Sequence, residues 1–182
     1  MNIVVIKEKL KEGIDVVSKS IGEGSQLQIL KNVLIDAYKN KIILISTNLE
    51  LAITYFVTGK IIEDGKITVP LNLISSIIGA LQTERINIGL KNNILEIKSD
   101  NYKAKINGTP SDDFPIIPKL KEKKYFIEIE SFLLKEALTQ VSVATQFSEM
   151  RPELNSIIMF FKIDSLVFAA TDSFRLAEKK IN

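Results

Sequence analysis

The stretch Ile42-Ile43-Leu44-Ile45-Ser46-Thr47-Asn48-Leu49-Glu50-Leu51 returns, altered but aligned, as Leu166-Val167-Phe168-Ala169-Ala170-Thr171-Asp172-Ser173-Phe174-Arg175-Leu176. Thr47 and Thr171 stand 124 residues apart, and sliding the chain along itself by that distance, without a gap, brings further matches into line. Leu10 falls on Leu134, Lys11-Glu12 on Lys135-Glu136, Ile14 on Leu138, Val17-Ser18 on Val141-Ser142, Leu30 on Leu154, and Val33-Leu34 on Ile157-Ile158. Apolar coincidences arise at any offset, so the weight rests on the shared Lys-Glu and Val-Ser pairs and on Thr followed by Asn or Asp. A fixed period of this kind marks a duplication, here one complete unit followed by part of a second.

The 182 residues are 46% hydrophobic and 25% charged, the composition of a soluble chain of one or two domains, each able to bury a core. The absence of cysteine and histidine excludes disulfides, thiolate or imidazole zinc sites, Cys or His catalysis and the Ser-His-Asp triad. No apolar run approaches the roughly 20 residues of a membrane span, and the N-terminus lacks a signal peptide's apolar core. The expected compartment is the cytoplasm, with no membrane partner. A net charge of +2 is too small for the whole surface to attract nucleic acid, so such a role needs its positive charge gathered on one face.

Ile3 to Ile6 is a short buried-strand run, and Leu10, Ile14, Val17 and Ile21 follow at helical spacing. Leu30 to Ile35 and Ile42 to Ile45 are strands joined by a hairpin at Lys39-Asn40-Lys41, and Ile53 to Val57 is a third. Asp64-Gly65 signals a turn. Beyond it Ile67 to Val69 reads as a strand, Pro70 opens a helix, and Ile74, Ile77, Ile78 and Leu81 form its apolar stripe. Ile86, Ile88 and Leu90 alternate, Asn92-Asn93 turns the chain, and Leu95 with Ile97, then Tyr102, Ala104 and Ile106, complete two more strands. The expected class is α+β, a β-α-β-β-β plan written twice, over residues 2 to 60 and 65 to 107.

Gly108, Pro110, Pro115 and Pro118 then break the pattern, which places a boundary between a first domain at 1–117 and a second at 118–182. The second restarts with Phe126 to Ile129 as a strand, Ser131 as N-cap, and Leu134, Ala137, Leu138 and Val141 as a buried stripe, followed by strands Ile157 to Phe161 and Leu166 to Ala170. By the 124-residue period the chain stops at the counterpart of Thr58, so a fragment of a longer protein is expected.

Leu27-Gln28-Ile29-Leu30-Lys31-Asn32-Val33-Leu34-Ile35, Thr47-Asn48-Leu49-Glu50, Val69-Pro70, Asp113-Phe114-Pro115, Arg151-Pro152-Glu153-Leu154-Asn155 and Ala170-Thr171-Asp172-Ser173-Phe174-Arg175-Leu176-Ala177 together resemble the β sliding clamps of bacterial DNA polymerase III. The family usually has Pro at the place of Gln28, Gly at Ser156 and Ser173, and His or Tyr at Phe174. The resemblance implies a DNA-clamp fold, here one complete domain and about half of another. It implies a DNA-replication processivity factor, non-catalytic and without cofactor or metal, that works as a full-length homodimeric ring. Its partners would be encircled double-stranded DNA, bound without sequence readout, the DNA polymerase III catalytic subunit, the clamp loader, and other polymerases and repair proteins.

The DNA-facing positions implied are Gly24, Ser25 and Asn72 on loops, with Lys9 and Lys135 on helices; for the lysines the plain alternative is a solvated helix face. A groove for partner peptides is implied at Leu154, Thr171, Ser173, Phe174, Arg175 and Leu176. For Leu154 and Leu176 the alternative is core packing, and for Arg175 a surface salt bridge. Two other classes stand beside this one: an acid-dependent enzyme or metal site using Asp112-Asp113 with Glu63 and Asp64, and a repeat-built interaction module with no DNA role.

Overall fold

The computed structural model describes residues 1–21, 27–118, 126–148 and 150–182. The chain divides into two compact units, Met1–Lys119 and Leu120–Asn182.

Unit 1 opens with strand β1 (Asn2–Ile6) and helix α1 (Lys7–Val17), then β2 (Asn32–Tyr38), β3 (Lys41–Thr47), β4 (Ala52–Val57) and β5 (Gly59–Glu63). The plan repeats as β6 (Gly65–Pro70), α2 (Leu71–Ala80), β7 (Arg85–Lys91), β8 (Ile94–Ser99) and β9 (Tyr102–Asn107). Successive strand residues point to opposite faces, and the alternate set Ile3 and Val5, like Ile86 and Ile88, is the buried one. On α1 the buried face is Leu10, Gly13, Ile14 and Val17, and on α2 it is Ile74 and Ile78. Ile21 lies beyond α1, because the chain tightens into a 3-10 turn at Ser18–Ser20, and Leu30 sits in another at Gln28–Lys31 just before β2. Lys39-Asn40 and Asn92-Asn93 have positive φ at both residues, the twist that two-residue hairpin turns need.

The two runs exchange strands. β1 pairs antiparallel with β7 and β5, giving the order β5-β1-β7-β8-β9, while β6 pairs with β2 in the order β4-β3-β2-β6. The exchange is symmetric in register: Ile6 lies opposite Arg85 as Pro70 lies opposite Asn32, each pairing the residue before a helix with the first residue of the strand after the other helix. A single bridge between Thr68 and Thr109 stands beside β6 where β5 stands beside β1. Both sheets and both helices close on one core that includes Ile3, Leu10, Ile35, Leu44, Ile74 and Ile88. β5 is absent from the sequence reading, since its residues are mostly exposed and carry no alternating pattern.

Unit 2 comprises α3 (Ser131–Ser142), a 3-10 turn at Pro152–Asn155, and a sheet of β10 (Ile158–Phe161), β11 (Leu166–Thr171) and β12 (Leu176–Ile181) in that order. A shift of 124 residues carries Gln28–Lys31 onto Pro152–Asn155 and β4 onto β12 end to end. Ala137, Val141, Phe168 and Ala170 lie at the centre of its core.

Two expectations fail here. Phe126 to Ile129 is not a strand, and residues 126–130 carry no regular structure. Their counterpart β1 is held by β5 and β7, and no strand of unit 2 stands in those places among the described residues. Backbone polar groups without a ladder partner turn to water, and the segment stays irregular. Ser131 is the first helical residue of α3, with Glu130 at the N-cap position and no side-chain bond there.

Candidate functional site

Lys9 is exposed on α1 with its Nζ 3.1 Å from Glu12 Oε2, and Lys7 Nζ lies 2.9 Å from Glu8 Oε1. The hydrogen bond and charge of Glu12 raise the Lys9 pKa, while Lys9 and then the Tyr55 hydroxyl lower that of Glu12. These pairs cancel part of the charge that α1 presents. Lys11 on α1, Lys19 in the 3-10 turn that follows it and Lys135 on α3 have no carboxylate within 4.0 Å among the described residues. Lys11 and Lys135 hold the same place in the repeat. Asn72, exposed in the first turn of α2, accepts a bond from the Leu73 N–H at 2.8 Å and borders a concavity of about 770 Å³ with Gln28, Ile29, Lys31 and Leu73. α2 carries no charged residue. Gly24 and Ser25 lie outside the described residues.

The turn from Thr171 to Arg175, between β11 and β12, is built by short side chains that bond their own backbone. Thr171 Oγ1 accepts from the Ser173 N–H at 3.1 Å and donates to the Arg175 carbonyl at 2.8 Å. Asp172 Oδ1 accepts from the N–H groups of Phe174 at 3.0 Å and Arg175 at 2.8 Å, and its Oδ2 accepts from Arg175 Nε at 2.7 Å. The Arg175 N–H first, then its guanidinium and the Phe174 N–H, hold the Asp172 carboxyl down to about 2. Ser173 sits at φ 76°, a left-handed conformation that favours glycine, and its Oγ accepts from Arg151 Nη1 at 3.2 Å. The first repeat makes the same turn: Thr47 Oγ1 accepts from the Leu49 N–H, Asn48 Oδ1 from those of Glu50 and Leu51, and Leu49 has φ 78°.

Beside this turn Leu154, Thr171 and Leu176 line a concavity of about 520 Å³ together with Ile157, Ala169 and Ala170. Leu154 is half-buried and Leu176 exposed, and neither belongs to the buried core of unit 2. Ser173, Phe174 and Arg175 stand on the turn and do not line the concavity. Phe174 is 94% exposed, and the Arg175 guanidinium is committed to Asp172. Asp172 and Arg151, which shape this surface, are not among the site residues the sequence singles out. The pairing of Asp172 with Asn48 across the repeat is the signal that leads to the first of them.

Asp112 Oδ1 is 3.2 Å from Lys66 Nζ, and Glu63 faces the N-terminal amine at 4.0 Å. Among the described residues no group of three or more His, Cys, Asp or Glu side chains is placed to hold a metal ion. Among them, too, no helix is long and apolar enough to cross a membrane.

Two β-α-β-β-β halves interleaved on one core, and a second unit in which a helix and three strands follow in the same order, constitute the DNA-clamp fold. The chain belongs to the DNA polymerase III beta subunit family, whose N-terminal domain matches residues 1–118 and whose central domain matches residues 128–182. Among curated proteins it is similar to the beta sliding clamp of Synechocystis sp., 28% identical over 186 aligned residues that cover 97% of this chain and 47% of that one. The beta sliding clamp of Bacillus subtilis is 26% identical over 189 aligned residues, covering 99% of this chain and 50% of that one. Among solved structures, a putative DNA polymerase III beta subunit from Eubacterium rectale matches at a TM-score of 0.94 and 26% identity, over 100% of this chain and 50% of that one. A sliding clamp from Bartonella birtlesii bound to griselimycin matches at 0.92 and 28%, with the same coverage. The chain spans about half the length of the curated relatives it matches.

Proposed function

We propose that this chain forms part of a ring-shaped processivity clamp that encircles duplex DNA in the cytoplasm and tethers DNA polymerase III, with no chemistry of its own. The observation that carries this is the family match running through both units in the family's domain order. A sliding ring has to attract phosphates without reading bases. Lysines on α1 and α3, with Lys9 and Lys135 among them, suit that, and Gly24, Ser25 and Asn72 complete the DNA-facing set of this proposal. The ring is a homodimer of full-length subunits, loaded by a clamp loader.

Retention on DNA tests it. With this sequence in the polypeptide length that cells produce, clamp loaded onto circular duplex stays bound in moderate salt and is lost within minutes of cutting the circle. Equal retention on circular and linear DNA marks an ordinary DNA binder, and retention on neither marks an interaction module; either result overturns the reading.

The second part of the proposal is that Leu154, Thr171, Ser173, Phe174, Arg175 and Leu176 form one wall of a groove for short peptide motifs of the polymerase, the clamp loader and repair proteins. The concavity lined by Leu154, Thr171 and Leu176 supports it, offering apolar anchors with a polar rim. In the same length of polypeptide, Leu154→Asp is expected to weaken binding of a labelled clamp-binding peptide at least tenfold, about 1.4 kcal/mol, with the unfolding midpoint unchanged. Undiminished binding refutes the assignment, and lost binding with a lowered midpoint returns Leu154 to a packing role.

A further inference from the structure

We infer that the outer face of the sheet β5-β1-β7-β8-β9 carries a binding site for a nucleoside phosphate, centred on Gly89. This goes beyond the clamp reading and does not depend on it. Every residue of the site belongs to unit 1, in which both β-α-β-β-β halves are present.

Backbone register lays one row of residues across the five strands. Glu63 lies opposite Asn2, Asn2 opposite Gly89, Gly89 opposite Glu96, and Glu96 opposite Lys105. Their chain neighbours Ile3, Ile88, Leu95, Ile97 and Ile106 are buried in the core, so alternation turns this row to the outer face. Gly89 leaves a notch in it. A Cβ built there meets nothing within 4 Å, and a glycine inside a strand often marks a place where a ligand comes close to the backbone. The notch opens into a concavity of about 340 Å³, lined also by Lys91 and Lys98, two residues along from Gly89 and Glu96. That volume falls within the range of small-molecule sites.

The two ends of the row differ in chemistry. At one end stand acceptors: Glu63 is exposed, and the half-buried Asn2 has its Oδ1 enclosed without a hydrogen-bond partner among the described residues. An enclosed acceptor left unbonded is costly, and a half-turn of the amide exchanges its oxygen with its nitrogen, so Asn2 is free to meet a ligand's donor. Towards the other end stand cations. Lys91 and Lys105 have no carboxylate within 4.0 Å among the described residues. Glu96, which lies in the same row, is ion-paired to Lys98 and, at 2.8 Å, to Lys103, so its charge is already met. A molecule that suits this arrangement has N–H and O–H donors at one end and phosphate at the other. A nucleoside phosphate is such a molecule, with ribose hydroxyls for Glu63, a base edge for Asn2 and phosphate for Lys91 and Lys105. A protein partner suits the face less, because lysine is depleted at protein interfaces.

Calorimetric titration tests this in the polypeptide length that cells produce. ADP is expected to bind with a dissociation constant below about 1 mM, and pyrophosphate at least about tenfold more weakly, because it meets the lysines alone. Gly89→Val fills the notch with a side chain that strands favour. It weakens ADP binding at least about tenfold with no fall in the thermal unfolding midpoint. Lys91→Glu weakens it by at least as much. Lys41→Glu, the same change of charge on the other sheet, leaves it unaltered. Absence of ADP binding, equal binding of ADP and pyrophosphate, binding indifferent to Gly89→Val and Lys91→Glu, or equal losses from Lys91→Glu and Lys41→Glu overturns the inference. If Gly89→Val unfolds the chain, the comparison of Lys91→Glu with Lys41→Glu decides.

Discussion

Leu49 and Ser173 both hold positive φ, at 78° and 76°, in turns whose side-chain bonds match group for group. The difference lies one residue earlier. Asn48 performs with an amide oxygen what Asp172 performs with a carboxylate, and only Asp172 gains an ion pair, to Arg175. Because the folded pKa of Asp172 is held at about 2, below its ordinary 3.8, its contribution to stability is complete above pH 3.8 and fades as the pH falls towards 2. Asp172→Asn keeps both backbone acceptors and removes the titration. The variant is expected to unfold at lower urea than wild type at pH 6 and to approach it at pH 2, measured as the urea midpoint of unit 2 against pH. A gap that stays constant from pH 6 to pH 2 contradicts this account of the turn.

Across the interface of α1 with β4, the repeat shows how helix and strand are matched. A Cβ at Gly13 would lie 2.8 Å from Tyr55 Cδ1 and 3.0 Å from Leu44 Cδ1, so the helix approaches the sheet at a point where only glycine fits. In unit 2 the same two places hold Ala137 and Lys179, and Lys179 reaches Glu136 at 3.3 Å in place of the aromatic contact. Gly13→Ala gains about 1 kcal/mol in helix propensity but incurs about 1–3 kcal/mol of overpacking against the Tyr55 ring and Leu44. A net loss of about 1 kcal/mol is expected by urea denaturation. The double change Gly13→Ala with Tyr55→Lys, which copies unit 2, recovers most of it. A stabilised single variant would show that the helix shifts freely at this point.

The two units differ in how much core they own. Among the described residues the buried cluster of unit 1 gathers 22 side chains and that of unit 2 gathers six. Unit 2 also leaves Phe132, Phe147, Met150 and Ile163 exposed, which adds nothing to its stability. Unfolding is therefore expected in two steps. Hydrogen exchange in urea is the measurement. The amides of β11 lose protection before those of β3, although the two strands occupy the same place in the repeat. Phe168→Ala, at the centre of the smaller core, removes about 3–5 kcal/mol and erases the first step while leaving the second in place. A single coincident transition for β3 and β11 would show that the cores are coupled.

The sequence by itself determined the duplication, the α+β class and the family. Each rests on local patterns, apolar alternation and helical stripes, or on side chains such as Thr47-Asn48 and Thr171-Asp172 that bond their own backbone, so neighbours along the chain carry the information. The same 124-residue shift also held the signal for β12, since it lands β4 there, although no alternation in Leu176 to Ile181 announces a strand unaided. Tertiary structure decided the rest. Whether Phe126 to Ile129 becomes a strand depends on a ladder partner, which no residue in that segment specifies. β5 exists because β1 offers it an edge. The exchange of strands between the halves of unit 1, and the meeting of Leu154 with Thr171 and Leu176 around one concavity, bring together residues far apart in the chain. Those choices are made by long-range backbone pairing and shared burial, which the order of residues alone does not display.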